Sequence, residues 1–133
     1  LFATAGMLVR RFSPDYLLVH PMGMDNTGGT YGANSGEYRN HAIRQDMWLS
    51  TYLAEWMERV YNILVIGDHG VNADGLHGGT TPDVREVPLY LIKPAAAGKG
   101  DTHEVVSQLQ IAPIICKLLE IEIPKTMKAA ALV

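Results

Sequence analysis

Asn62-Ile63-Leu64-Val65-Ile66-Gly67-Asp68-His69-Gly70 is the stretch on which the reading of this chain turns. Ile63 to Ile66 is an unbroken apolar run of strand length, the pattern of a strand buried on both faces. It stops at glycine, and the next two residues are an acid and an imidazole. In open α/β sheets, ligands bind beyond the carboxyl ends of the strands. Asp68 and His69 therefore stand where chemistry is expected.

Two similar runs flank this one. Tyr16 to His20 (YLLVH) reads as a second buried strand, ended by Pro21. Val87 to Ile92 (VPLYLI) reads as a third, with Pro88 assigning it to a sheet edge or a strand start. Residues 2 to 12 read as a helix, its Arg10 and Arg11 suited to the negative end of the helix dipole, and Ser13-Pro14-Asp15 stops it. Ser35 is an N-cap for the strongest helix, in which Tyr38, Ala42, Gln45, Leu49, Tyr52, Trp56 and Val60 recur at spacings of three and four. Trp48 and Trp56 read as packing residues. Residues 22 to 34 and 70 to 82 read as glycine-rich loops. Ser107 to Leu119 reads as a helix split or kinked by Pro113.

The order helix, strand, long helix, strand, strand, helix is an α/β pattern: a partial, mostly parallel sheet of about three strands flanked by helices. So small a sheet leaves an apolar edge uncovered. Residues 1–133 are therefore read as a single α/β unit forming the carboxyl-terminal part of a larger catalytic domain, with 125–133 a peripheral tail. Leu1 in place of Met agrees with that expectation.

Composition excludes several classes. The 133 residues are 47% hydrophobic and 19% charged with a net charge of -3, which suits a globular core and not a disordered chain. No apolar run approaches the ~20 residues of a membrane span. The acidic balance gives no electrostatic footprint for duplex nucleic acid. The single Cys116 excludes a disulfide framework. Nothing in the sequence assigns a compartment.

Two glycine clusters, Gly23 to Gly36 and Gly67 to Gly79, each follow an apolar run. The first brings Asp25; the second brings Asp68, His69 and His77. These four side chains are expected to converge at one sheet edge. Carboxylate oxygens and imidazole nitrogens suit Zn²⁺ or a similar divalent ion.

Taken together, the motifs become familiar. Asp68-His69-Gly70, Asp74-Gly75-Leu76-His77-Gly78-Gly79 and Glu86-Val87-Pro88-Leu89 resemble the metal-binding carboxyl half of the alkaline phosphatase superfamily. The nearest branch is the type I phosphodiesterase/nucleotide pyrophosphatase family. Asp25-Asn26-Thr27-Gly28-Gly29 is similar to that family's Asp-x-x-Gly-His loop, followed by its Ser-x-x-Tyr helix start at Ser35 and Tyr38. Ser107 to Pro113 is similar to its closing segment. The resemblance runs from about Pro14 to Pro124. It implies an alkaline-phosphatase-like fold and a metal-dependent hydrolase of phosphodiester or nucleotide pyrophosphate bonds. It also implies two divalent ions, usually zinc, and a small phosphate-ester or nucleotide substrate. Asp25 and His77 would hold one ion, and Asp68 and His69 the other.

Two departures qualify this. Gly29 stands where the family places a metal-binding His, which leaves the first ion two protein ligands, short of the usual three. His20 and His41 are possible replacements, although both read as structural. No nucleophile is visible either: Thr4 and Ser13 lie on or beside a helix, and Thr80 and Thr81 read as turn residues. A missing amino-terminal half of the domain would supply it, and oligomers are possible. The alternatives are a degenerate or regulatory domain of the same fold, or a phosphomutase, sulfatase or phosphonate hydrolase branch.

Overall fold

A computed structural model describes residues 1–127 of the chain, so the end of the expected 125–133 tail lies outside the described residues. Two compact units are present, one spanning Leu1–Ala96 and one beginning at Ala97. The first contains α1 (Phe2–Phe12), α2 (Gly23–Tyr31), α3 (Gly36–Glu58), β1 (Ile63–Ile66), α4 (Pro82–Arg85) and β2 (Leu89–Ile92). The second contains a 3₁₀ turn (Gln108–Gln110) running into α5 (Ile111–Leu118).

α3 forms as its sequence requires. The Ser35 hydroxyl accepts from the Tyr38 N–H at 3.1 Å, satisfying one of the otherwise unpaired donors of the first turn. Its inward face carries Leu49, Tyr52, Leu53 and Trp56, and Trp56 stacks on Tyr52 with ring centroids 5.7 Å apart. Trp56 is buried with Ala5 and Val9 of α1 and Ile63 of β1, and this cluster is the core of the first unit. Burying a side chain such as Ile63 is worth about 1.5–3 kcal/mol. Trp48 is 46% exposed, because position 48 lies a hundred degrees around the helix from Leu49. Val60, expected on the inner face, lies past the helix end with φ 66° and is exposed.

The sheet differs from expectation. Among the described residues it has two strands, and they are antiparallel: Ile63 pairs with Ile92 and Ile66 with Leu89. Tyr16 to His20 forms no ladder. It does lie alongside β1 in the same direction. At its start the Tyr61 hydroxyl donates to the Pro14 carbonyl at 2.8 Å, and at its end His20 approaches Asp68. Leu17 and Val19 pack on the core while Tyr16, Leu18 and His20 are exposed. The expected mostly parallel sheet of three strands is therefore replaced by an antiparallel pair with an unladdered flanking segment. The apolar run reported burial of one face, and burial alone does not create backbone pairing.

The glycine-rich stretch after Pro21 is a helix, α2, where a loop was expected. Three glycines in nine residues oppose helix formation locally. Tertiary packing compensates: at Gly28 the backbone lies so close to Tyr38 of α3 and to Val71 that a methyl group would already be tight. Thr27 and Thr30 also return their hydroxyls to the carbonyls of Gly23 and Asn26.

In the second unit, Ser107 caps the 3₁₀ turn in a reciprocal box with Gln110. Pro113 occupies the first turn of α5, where a missing N–H costs nothing, so no kink results. No described helix is long and apolar enough to cross a membrane.

Candidate metal centre

Asp25 is the third residue of α2, where the helix dipole favours a carboxylate. Asp68 and His69 follow β1 directly. The turn at Gly70 is held by its N–H to the Val84 carbonyl at 2.9 Å. A side chain at 70 would collide with the Asp83 carbonyl oxygen, so only glycine permits α4 to close over this loop.

His77 arrives from a second turn. The Asn72 side chain accepts from the backbone N–H groups of Asp74 at 3.0 Å and Leu76 at 2.8 Å, folding residues 72–76 into a tight unit. At its tip Gly75 has φ 80°, and a Cβ there would stand 2.9 Å from the Gly29 carbonyl oxygen. That contact seats the turn against α2 and brings His77 beside Asp25.

The result is a three-residue cluster. One donor atom each from Asp25, His69 and His77 lies within 4.8 Å of the others. The His69 and His77 rings stack, with centroids 4.6 Å apart. His69 Nδ1 lies 3.0 Å from the Gly70 carbonyl. A carbonyl only accepts, so Nδ1 carries the proton and Nε2 presents its lone pair to the cluster. Asp25 Oδ1 is buried without a hydrogen-bond partner and lies 3.9 Å from His69 Nε2. A buried acceptor left unpaired costs about 1–3 kcal/mol. An orphaned carboxylate oxygen facing two imidazoles is a donor set that fits a divalent cation.

Asp68 stands beside this group. Its Oδ1 accepts the His69 N–H at 3.1 Å, and its Oδ2 lies 3.7 Å from His69 Nε2. The four residues singled out from the sequence thus share one end of β1. His69 stands between the two expected pairs, 3.7 Å from Asp68 Oδ2 and 3.9 Å from Asp25 Oδ1.

Gly29 lies four residues after Asp25 in α2, on the same helix face. A Cβ there would meet only the Gly75 carbonyl oxygen, at 3.9 Å. His41 lies apart on α3, against Gln45 and the edge of Trp48. Thr81 stands at the N-cap position of α4, with no side-chain capping hydrogen bond.

Two neighbours were not assigned to the site from sequence. Tyr38 sits beside α2, and its phenol pKa is raised above 10.0, first by burial and then by the negative charge of Asp25. His20 approaches Asp68, and its position at the end of an apolar run was the available signal.

Neither a protein-family model nor a solved structure matches the chain. Curated relatives do. The chain is similar to GPI ethanolamine phosphate transferase 2 of Candida albicans, 31% identical over 124 residues, with 84% of this chain matched to 14% of that protein. It is 29% identical over 113 residues to the catalytic subunit of GPI ethanolamine phosphate transferase 3 of Homo sapiens, matching 83% of this chain and 10% of that protein. It is also similar to the 2,3-bisphosphoglycerate-independent phosphoglycerate mutase of Haloquadratum walsbyi, 29% identical, matching 98% of this chain and 26% of that protein. The chain therefore spans a minor part of the length of these relatives. What it resembles are phosphate-ester enzymes of the alkaline phosphatase superfamily, a broader likeness than the nucleotide pyrophosphatase branch the motifs implied.

Proposed function

We propose that this chain supplies metal-binding side chains to an enzyme that breaks a phosphodiester P–O bond and passes the phosphoryl group to an acceptor hydroxyl. The observation that carries this reading is the convergence of Asp25, His69 and His77. Their oxygen and nitrogen donors suit zinc. A bound divalent ion would activate the attacking oxygen and offset charge on the phosphoryl oxygens.

The chain's own residues prepare that chemistry. The Gly70 carbonyl fixes the His69 tautomer, and the dipole of α2 favours the Asp25 carboxylate. The Gly75 turn sets the distance between His77 and α2. The attacking hydroxyl is proposed to come from another part of the complete enzyme. Moving an ethanolamine phosphate group, as the relatives' names describe, exchanges one phosphodiester bond for another, and the acceptor's proton leaves on the departing oxygen. A second reading, hydrolysis of a phosphodiester or nucleotide pyrophosphate, is favoured by the openness of the site. Asp68 is 67% exposed at its side chain, which leaves water free access.

A chromogenic phosphodiester given to the full-length protein, with and without a primary alcohol, tests both. Transfer predicts chelator-sensitive release of the chromophore and a new phosphodiester of the added alcohol. Hydrolysis predicts the phosphomonoester alone. If no turnover is seen, or if H69A leaves turnover unchanged, the enzymatic reading is wrong and a non-catalytic domain takes its place.

A further inference from the structure

His41 sits directly beneath the amino end of α2. Its Nε2 occupies the place where a side chain at Gly23 would begin, so the opening residue of α2 rests on the imidazole. The ring is held in turn by Gln45, one turn further along α3, whose Nε2 lies 3.1 Å away. Two nitrogens meet here, and an amide nitrogen only donates. His41 Nε2 therefore accepts, and the neutral ring carries its proton on Nδ1. The other end of the amide, Gln45 Oε1, is buried without a hydrogen-bond partner.

This arrangement suits one protonation state. An imidazolium donates from both nitrogens, so its Nε2–H would point at the N–H bonds of Gln45. A half-turn of the amide restores the bond, with the orphaned Oε1 as acceptor. A cavity of about 290 Å³, lined by Gln45 with Phe2, Pro21, Trp48 and Tyr52, leaves the amide room to turn. The same proton acts on α2. Met22 gives that helix no side-chain cap, and its first-turn N–H groups carry partial positive charge that repels a cation beneath them. Gly23 faces His41 from α2, and the Trp48 ring meets it edge-on. One turn away on α3, Tyr38 is a neutral phenol, while Glu37 and Arg44 are exposed. Asp25 turns its buried oxygen to His69, and no ion pair among the described residues includes His41.

We propose that His41 and Gln45 form a proton-operated seat for the amino end of α2. The neutral ring supports Gly23, and protonation pushes the helix end off it. Asp25 is two residues further on, so the seat positions that carboxylate from outside the cluster. The seat stands on its own geometry, and only its effect on the centre rests on the metal-binding reading above.

NMR titration of the chain in chelator from about pH 8 to 5, following ring nitrogens and backbone amides, tests the seat. At the alkaline end the His41 ring should be the Nδ1–H tautomer. As it takes up its proton, the amide signals of Gly23 and Met24 should shift with the same midpoint. H41Q should abolish those shifts while His20, His69 and His77 still titrate, and Trp56 signals matching the wild type confirm its fold. G23A puts a methyl group where Nε2 lies, so it should displace the ring and lose the tautomer preference. Its zinc affinity, read by calorimetry at the alkaline end, should fall about tenfold or more, as when an outer partner of a metal site is lost. An Nε2–H tautomer in the wild type overturns the seat, as do Gly23 and Met24 amides that ignore His41 or still shift in H41Q. If the amides follow His41 but G23A binds zinc as the wild type does, the link to the centre is wrong. A wild type that binds no zinc removes the metal-binding reading and leaves the seat intact.

Discussion

Asp25→Ala is expected to change the chain's stability in opposite directions with and without zinc. Without metal, Asp25 Oδ1 is a buried acceptor lacking a hydrogen bond. Removing it relieves about 1–3 kcal/mol of desolvation. Alanine is also the better helix former, by about 0.5 kcal/mol. Against these gains stands the lost attraction between the carboxylate and the amino end of α2, about 0.3–1 kcal/mol. The balance makes the metal-free variant more stable by about 1 kcal/mol, raising its midpoint by about 2–5 °C for a chain of this size. With zinc at a hundred times its dissociation constant, the wild type gains about 2.7 kcal/mol and the variant little. The order of stabilities therefore reverses. Thermal unfolding followed by circular dichroism, once in chelator and once in excess zinc, reads both halves. A variant less stable than wild type in chelator would show that the carboxylate is satisfied without metal. An undiminished zinc-induced shift in the variant would remove Asp25 from the centre.

Gly29→His places an imidazole one turn from Asp25 on the same face of α2, where a Cβ has room. Zinc affinity measured by calorimetry should rise at least tenfold, within the range by which single partners tune metal sites. Gly70→Ala forces a methyl group into the Asp83 carbonyl. It should cost about 1–3 kcal/mol in urea unfolding and also weaken zinc binding, because the Gly70 carbonyl orients His69. Tyr38 has its folded pKa raised above 10.0 by burial and by Asp25. Its stabilising contribution is complete below pH 10 and is lost as pH rises through the folded value. Tyr38→Phe should flatten the alkaline fall in stability, as read from unfolding curves at successive pH values.

Much of this was legible in the sequence, for reasons that differ by element. β1 and α3 declare themselves locally, one through an unbroken apolar run and the other through Ser35 and a repeating inner face. α2 was hidden because Gly23, Gly28 and Gly29 argue against a helix, and the packing that stabilises it comes from Val71 and Tyr38, distant in sequence. Tyr16 to His20 misled in the other direction. Leu17 and Val19 record packing on the core cluster, and that packing specifies neither a ladder nor a partner. The rule that ligands gather past strand ends placed Asp25, Asp68, His69 and His77 at one end of β1. The stacking of His69 on His77 was not legible, because it depends on the Gly75 turn seated against α2.

The backbone contact between Gly75 and α2 separates two properties of the centre. At position 29 the space is open, so a lineage can gain or lose a donor there while the other three keep their places. At position 75 there is no such freedom: any side chain pries the turn from the helix, and His77 moves with it. The number of ligands is thus free to drift, while their spacing is locked. Sequences carrying this fold should vary at 29 and hold glycine at 75, whatever metal chemistry each retains.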